Sequence, residues 1–317
     1  MYSVPGKTYF SGISQRTGFK TDSLEKVYRM LGIIRRIDES GELRSLLALK
    51  GGTALHGLVF GLQRLSADID TNYIGSVERD IMQSDRQVIR ERLLTLFRDL
   101  GYGTDPPVNT YAEERFDLHF TNCGGGRDHL KLEINYLDRL PLLGTLRRRM
   151  VHPFEGLDVD VLSYPSEELC AGKMRALISR GTPRDLFDVD LITKEKTIDD
   201  VLLRKATLFY LSMSGIDVRH LTLAPIEAIT EKQIRDNLVP MISRSQAIDL
   251  VAMKRNVLSY AGSLITLTLD EQRYFDIFYD EKRFEPSLLF GSHINYVGLE
   301  RHPSIKLRMG PPKKLEP

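Results

Sequence analysis

The stretch from Leu46 to Tyr73, LLALKGGTALHGLVFGLQRLSADIDTNY, does most to narrow what this chain can fold into. Leu46 to Leu49 is a short unbroken apolar run, as in a strand buried on both faces. Lys50-Gly51-Gly52-Thr53 stops the run, Ala54 to Phe60 can be helical, and a strand pattern returns from Ala67 to Ile74. A strand that ends in Gly-Gly-Thr and turns into a helix gathers backbone N–H groups and a hydroxyl at a helix N-terminus, which suits an anion such as a triphosphate. It is not a P-loop, because no Gly-Lys-Ser/Thr follows at the required offset. The glycine pair alone fits a plain tight turn equally well.

Asp68-Ile69-Asp70 adds a second constraint. Side chains alternate along a strand, so Asp68 and Asp70 share a face while Ile69 points into the core. Two neighbouring carboxylates repel and call for water or a cation. One reading is a solvated strand face; the other is a pair of hard oxygen ligands for Mg²⁺, which binds through one or two carboxylates and substrate phosphates. Glu133, in Lys131-Leu132-Glu133-Ile134-Asn135, lies on the face opposite Leu132 and Ile134. If its strand neighbours the Asp68–Asp70 strand, three carboxylates meet on one sheet surface, a set suited to metals that bridge an attacking oxygen and a leaving pyrophosphate.

The remaining pattern places these segments in a fold. Leu24 to Ile37 has helical spacing, with Asp22 and Glu25 in capping-box positions. Val88 to Leu100 is amphipathic and stops at Gly101. Phe116, Leu118 and Phe120 alternate, as do Leu130, Leu132, Ile134 and Tyr136; the Cys123–Asp128 turn between them predicts a β-hairpin. Asp158 to Leu162 predicts another strand. From Ser166 the pattern is mostly helical, with segments near 167–180, 184–193, 200–213 and 224–280. The expected class is α+β, with a nucleotide-handling domain over 1–164 and a helical domain over 165–317 that ends in a basic, loosely ordered tail.

Lys173 sits in an apolar stripe with Leu169 and Leu177, where a lysine needs a reason. It either snorkels along the helix edge or meets phosphate oxygens. Beyond it, Arg184 and Asp188 stand at i, i+4: an intrahelical ion pair, or a carboxylate that orients Lys173 or a nucleotide.

Lys and Arg total 44 against 43 Asp and Glu, so a nucleic acid would be held by local patches rather than a bulk basic field. Arg147-Arg148-Arg149 and the tail residues Arg301, Lys306, Arg308, Lys313 and Lys314 are the candidates. No apolar stretch is long enough to cross a membrane, and the first residues lack a signal-peptide core. Cys123 and Cys170 are too few for a disulfide framework. A cytoplasmic protein with no membrane and no disulfide-linked partner is expected.

Four ordered motifs resemble the AbiEii/AbiGii toxin family, which includes the MenT group. They are Leu49-Lys50-Gly51-Gly52-Thr53-Ala54-Leu55, Arg64-Leu65-Ser66-Ala67-Asp68-Ile69-Asp70, Lys173-Met174-Arg175-Ala176-Leu177 and Arg184-Asp185-Leu186-Phe187-Asp188. The resemblance covers about residues 10–195. Residues 53–67 put fifteen positions between Gly52 and Asp68, longer than the usual polymerase-β-like gap but in keeping with this branch.

The resemblance implies a DNA-polymerase-β-like nucleotidyltransferase lobe with a mixed sheet, followed by a mostly helical lobe, with NTP as substrate and Mg²⁺ or Mn²⁺ as cofactor. It implies a toxin of a toxin–antitoxin or phage-defence pair, neutralised by a cognate antitoxin, that adds NMP to the 3′ end of tRNA and blocks aminoacylation. On the matching positions, Asp68, Asp70 and Glu133 are metal ligands. Gly51, Gly52, Thr53, Ser66 and Lys173 bind nucleotide, and Asp188 supports Lys173. An acidic residue expected in the third motif is either Glu167 or Glu168. The competing readings are an NTP-dependent protein kinase on the same fold and a non-catalytic partner-binding protein; retention of every charged motif residue argues against the latter.

Overall fold

The computed structural model describes residues 4–310. They form two compact units: the first holds the chain up to Arg139, Thr145–Tyr164 and Lys232–Ile248, the second Leu140–Gly144, Pro165–Glu231 and the chain from Asp249. The chain therefore passes between units more than once.

The first unit is built on one mixed sheet. Its strands are β1 (Leu47–Lys50), β2 (Asp68–Tyr73), β3 (Gly103–Thr104), β4 (Val108–Asn109), β5 (Glu113–Thr121), β6 (Arg127–Asn135), β7 (Leu146–Arg149) and β8 (Asp160–Ser163). The order is β3-β5-β6-β2-β1-β8-β7, with β4 also on β5. β1 and β2 run antiparallel, whereas β2 pairs β6 in parallel. The hairpin expected around Cys123 is β5–β6, in register from Glu113↔Asn135 to Thr121↔Arg127.

Helices α1 (Lys7–Thr17), α2 (Thr21–Glu39), α3 (Leu43–Leu46), α4 (Gly51–Leu58) and α5 (Arg79–Asp99), together with the Lys232–Ile248 stretch, complete this unit. The apolar face of the hairpin is fully buried, with Phe116, Leu118, Leu132 and Ile134 at 0% exposure. α5 packs there, its Phe97 ring 5.6 Å from Phe116, and Arg29 of α2 lies 4.2 Å over the Phe120 ring. Because alternation puts Leu and Phe on this face, it puts Arg115, Asp117, Lys131 and Glu133 on the other.

The capping box expected at Asp22 and Glu25 does not form: α2 has no side-chain cap. Glu25 is buried, pairs with Arg29 at 2.8 Å and accepts the Cys123 backbone N–H at 2.8 Å. Tying down the hairpin turn takes the carboxylate that a cap would have used.

The second unit is helical. Its first helices are α6 (Ser166–Arg180), α7 (Pro183–Ile192) and α8 (Asp200–Met213). α7 begins with Pro183 in its first turn and Thr182 as its cap, both favourable starts. Glu168 fastens Leu140–Gly144 to this unit, accepting from Leu142 N at 2.9 Å, Leu143 N at 2.7 Å and the Tyr210 hydroxyl. Glu167 is half-exposed and accepts a longer contact from Asp199 N, 3.3 Å. Of the two acidic candidates in the third motif, Glu168 is the one built into the fold. The tail differs from expectation: Pro303–Met309 is a helix with Pro303, Ser304 and Ile305 buried, held by Arg308 donating to the Met213 carbonyl. Lys313 and Lys314 lie outside the described residues.

Candidate active site

β1 delivers the chain into a turn that only glycine enters comfortably. Gly51 has φ +72°, and a Cβ there would stand 2.4 Å from Asp70 Oδ2. The carboxylate of β2 thus lies directly against the turn that opens α4. Gly52 is tight for a different reason: its Cβ would stand 2.7 Å from Arg64 Nη2 and 3.0 Å from Ser66 Oγ. Arg64 is buried, with its Nη1 donating to the Leu65 carbonyl at 2.9 Å and its backbone N–H donating to His56 Nδ1 at 3.4 Å. Gly51, Gly52 and Ser66 are therefore brought together as expected of a shared turn, and Arg64 joins them. Sequence reasoning gave Arg64 no role; its position two residues before Ser66 in the same motif was the signal.

Thr53 has a partner within the fold. It is 3% exposed and its hydroxyl donates to the Asp68 carbonyl at 2.6 Å. The hydroxyl braces β2 against α4.

The three carboxylates occupy neighbouring strands in matched register. Asp70 pairs with Glu133 and Asp68 with Lys131 across β2–β6; Lys50 faces Asp70 from β1; Arg115 and Asp117 face Glu133 and Lys131 from β5. One row across the sheet reads Lys50, Asp70, Glu133, Arg115, and the next Asp68, Lys131, Asp117. Lys131 Nζ is 3.0 Å from Glu133 Oε1, and Arg115 Nε is 3.0 Å from Asp117 Oδ2.

Burial pushes the Asp70 carboxyl above its usual range; Lys50 pulls it back, Asp68 and Glu133 push it further, and Lys131 again opposes them. Burial lowers the Lys131 ammonium, but the Glu133 hydrogen bond and the charges of Asp68 and Asp70 outweigh it and hold it above the ordinary value. Among the described residues no three His, Cys, Asp or Glu side chains converge as a ready metal cage. Hard carboxylate oxygens, a partly buried Asp70 that resists carrying its charge alone, and a backbone shaped around it nonetheless fit a divalent cation with oxygen preference.

Lys173 and Asp188 meet within the helical unit. Lys173 is 7% exposed, so it does not snorkel; its ammonium is 2.9 Å from Asp185 Oδ1 and 3.0 Å from Asp188 Oδ2. Asp185 also accepts from Arg180 Nε and the Thr182 hydroxyl, both at 2.7 Å. Burial alone would raise the Asp185 carboxyl, but Lys173 and Arg180 overcome it and bring it down to about 2. Asp185 is a member that sequence reasoning missed, and nothing in its local spacing announced a partner twelve residues back.

The arginines proposed as a nucleic-acid patch lie on β7, at the sheet edge. Arg147 pairs with Asp38, Arg149 with Asp158 and Asp160, and Arg148 donates to the Leu58 carbonyl. Acidic and carbonyl partners already compensate this run.

The family model for the nucleotidyl transferase AbiEii toxin of type IV toxin–antitoxin systems matches residues 34–276. Among solved structures, MenT4, a nucleotidyltransferase toxin from Mycobacterium tuberculosis H37Rv, is 16% identical, with a TM-score of 0.67 over 96% of this chain and 99% of that one. A CdnC–HORMA complex from E. coli MS115-1 is 13% identical, covering 92% of this chain and 99% of that one; its TM-score of 0.26 is too low to carry an argument. No curated protein matches the chain by sequence. No helix among the described residues is long and apolar enough to cross a membrane. With a mixed sheet that sets paired aspartates against a Gly-Gly turn, and a family match spanning most of its length, the chain belongs to the AbiEii nucleotidyltransferase toxins of type IV toxin–antitoxin systems, whose members are paired with an antitoxin.

Proposed function

We propose that this toxin acts in the cytoplasm as a Mg²⁺-dependent transferase that moves NMP from NTP to the 3′ end of tRNA, blocking aminoacylation until its antitoxin intervenes. The observation that carries the reading is the contact between the Gly51 turn and Asp70, which sets the opening of α4 beside the carboxylates of β2. Asp68 and Asp70 hold the cation, with Glu133 beside them on β6. A divalent cation there supplies charge neutralisation for the phosphates. The Gly51 and Gly52 amides, at the N-terminus of α4, receive triphosphate oxygens, and Ser66 and Arg64 keep that turn in shape. Glu133 accepts the proton of the attacking hydroxyl. Lys173 and Asp188 enter through the motifs they match, Lys173 as a phosphate contact and Asp188 as its support.

Two labels test this. Incubated with total RNA, the protein should leave α-phosphate label on tRNA, and Asp70→Asn should leave none. Label from the γ-phosphate on protein, with none from the α-phosphate on RNA, would replace the reading with a kinase.

A further inference from the structure

The two charged rows on the open face of the sheet flank Asp70 and Glu133 with Lys50 and Arg115, and set Lys131 between Asp68 and Asp117. Lys131 stands beside Asp68 in register and diagonal to Asp70, and it is bonded to Glu133 at 3.0 Å. Across β2–β6, Asp70 and Glu133 are like-charged neighbours, and Lys131 is the nearest residue on β6 that offsets them. A bound divalent cation and this ammonium need the same negative charge, and at such separations they repel. Asp117 faces Lys131 from β5, on the side away from Asp68; it already accepts from Arg115 Nε at 3.0 Å, and a displaced ammonium would share that carboxylate.

We propose that Lys131 is a tethered counter-ion of the Asp68–Asp70–Glu133 face, holding Glu133 in an ion pair until a divalent cation displaces it. The inference rests on the cation reading above and adds a residue to it. Two effects act in the same direction. The ammonium lowers the negative potential that attracts the cation, and it keeps Glu133 turned along its own strand. A protein with Lys131 in place binds its cation weakly when alone; a nucleotide that brings phosphate charge shifts the balance. Lys131 is a positioning residue here, because it acts through Glu133 and the aspartates.

The test is calorimetric Mn²⁺ titration of nucleotide-free protein, comparing wild type with Lys131→Met, Lys131→Arg and Asp70→Asn. Lys131→Met should bind Mn²⁺ about tenfold more tightly, the equivalent of about 1.4 kcal/mol. Its melting temperature should also rise more on Mn²⁺ addition than that of wild type. Lys131→Arg keeps the charge and should stay near wild type. If Lys131→Met fails to fold, Lys131→Gln removes the same charge and carries the same comparison. Equal or weaker Mn²⁺ binding by the uncharged variant, with binding still abolished by Asp70→Asn, overturns the inference and leaves the cation reading standing. Mn²⁺ binding that ignores Asp70→Asn, or is absent throughout, overturns both.

Discussion

Gly51 and Asp70 fit together so closely that one added methyl group would stand 2.4 Å from the Asp70 carboxylate. The glycine is also in the left-handed region, at φ +72°. Gly51→Ala therefore meets strain and collision together, at a cost of about 1–3 kcal/mol. We expect a folded protein with a lower melting temperature and NMP transfer at least about tenfold below wild type. A Gly51→Ala enzyme of normal rate would separate the turn from the carboxylates.

Lys173→Met should destabilise the protein by about 3–5 kcal/mol, because it leaves Asp185 and Asp188 buried without their ammonium. Methionine suits the apolar stripe of Leu169 and Leu177, so the loss comes from the stranded carboxylates and not from packing. The sharper check is the double change Lys173→Met with Asp188→Leu, which removes charge from both sides and should recover part of the melting temperature. If it also recovered transfer activity, Lys173 would have no phosphate role.

Glu168 gives the stability a pH dependence. Burial pushes its carboxyl up to about 7 although three donors, Tyr210, Leu142 N and Leu143 N, bond to it. A folded value above the unfolded one, about 4.5, means the folded protein binds the extra proton. The contribution is then complete below about pH 4.5, declines between 4.5 and 7, and is constant above. Its size is about 3 kcal/mol. Thermal melts from pH 4.5 to 7.5 should fall more steeply for wild type than for Glu168→Gln, which cannot titrate. Parallel slopes would show that Glu168 stays in one protonation state throughout.

Thr53→Ser keeps the hydroxyl that reaches the Asp68 carbonyl and should behave close to wild type, whereas Thr53→Val removes it. The valine variant strands a buried acceptor and should lose about 1–3 kcal/mol of stability. KM for NTP should change little at temperatures where it is folded. A large KM rise in Thr53→Val without a stability loss would return the hydroxyl to the phosphates.

Much of this architecture could be read from side-chain period. The hairpin alternates cleanly over Phe116–Phe120 and again over Leu130–Tyr136, so its existence and the face that carries Glu133 followed directly, whereas its register comes from the structure. Asp68 and Asp70 were legible for the same reason. β7 was not, because Leu146-Arg147-Arg148-Arg149 lies at a sheet edge and answers to acidic partners rather than to a core. Asp185 was hidden because the i, i+4 spacing of Arg184 and Asp188 offered a local explanation, whereas the partner that matters comes from another helix. Lys131 resembled any solvated strand lysine until its neighbours in the sheet were known. Pattern reveals which face a residue is on; it does not reveal what stands opposite.

The return of Lys232–Ile248 to the first unit bears on how the protein is made. The Leu65 N–H donates to the Met241 carbonyl at 2.7 Å, and Arg244 N to the Gly18 carbonyl at 3.1 Å. Leu65 sits between Arg64 and Ser66, the two residues that back Gly52. During synthesis the sheet can pair as soon as β8 leaves the ribosome, yet this anchor waits until residue 241 has emerged. A fragment ended at Tyr164 would keep every described strand and Asp68, Asp70 and Glu133, but leave the stretch beneath the glycine turn untethered. Supplied separately, a peptide spanning Lys232–Ile248 is the piece that such a fragment lacks.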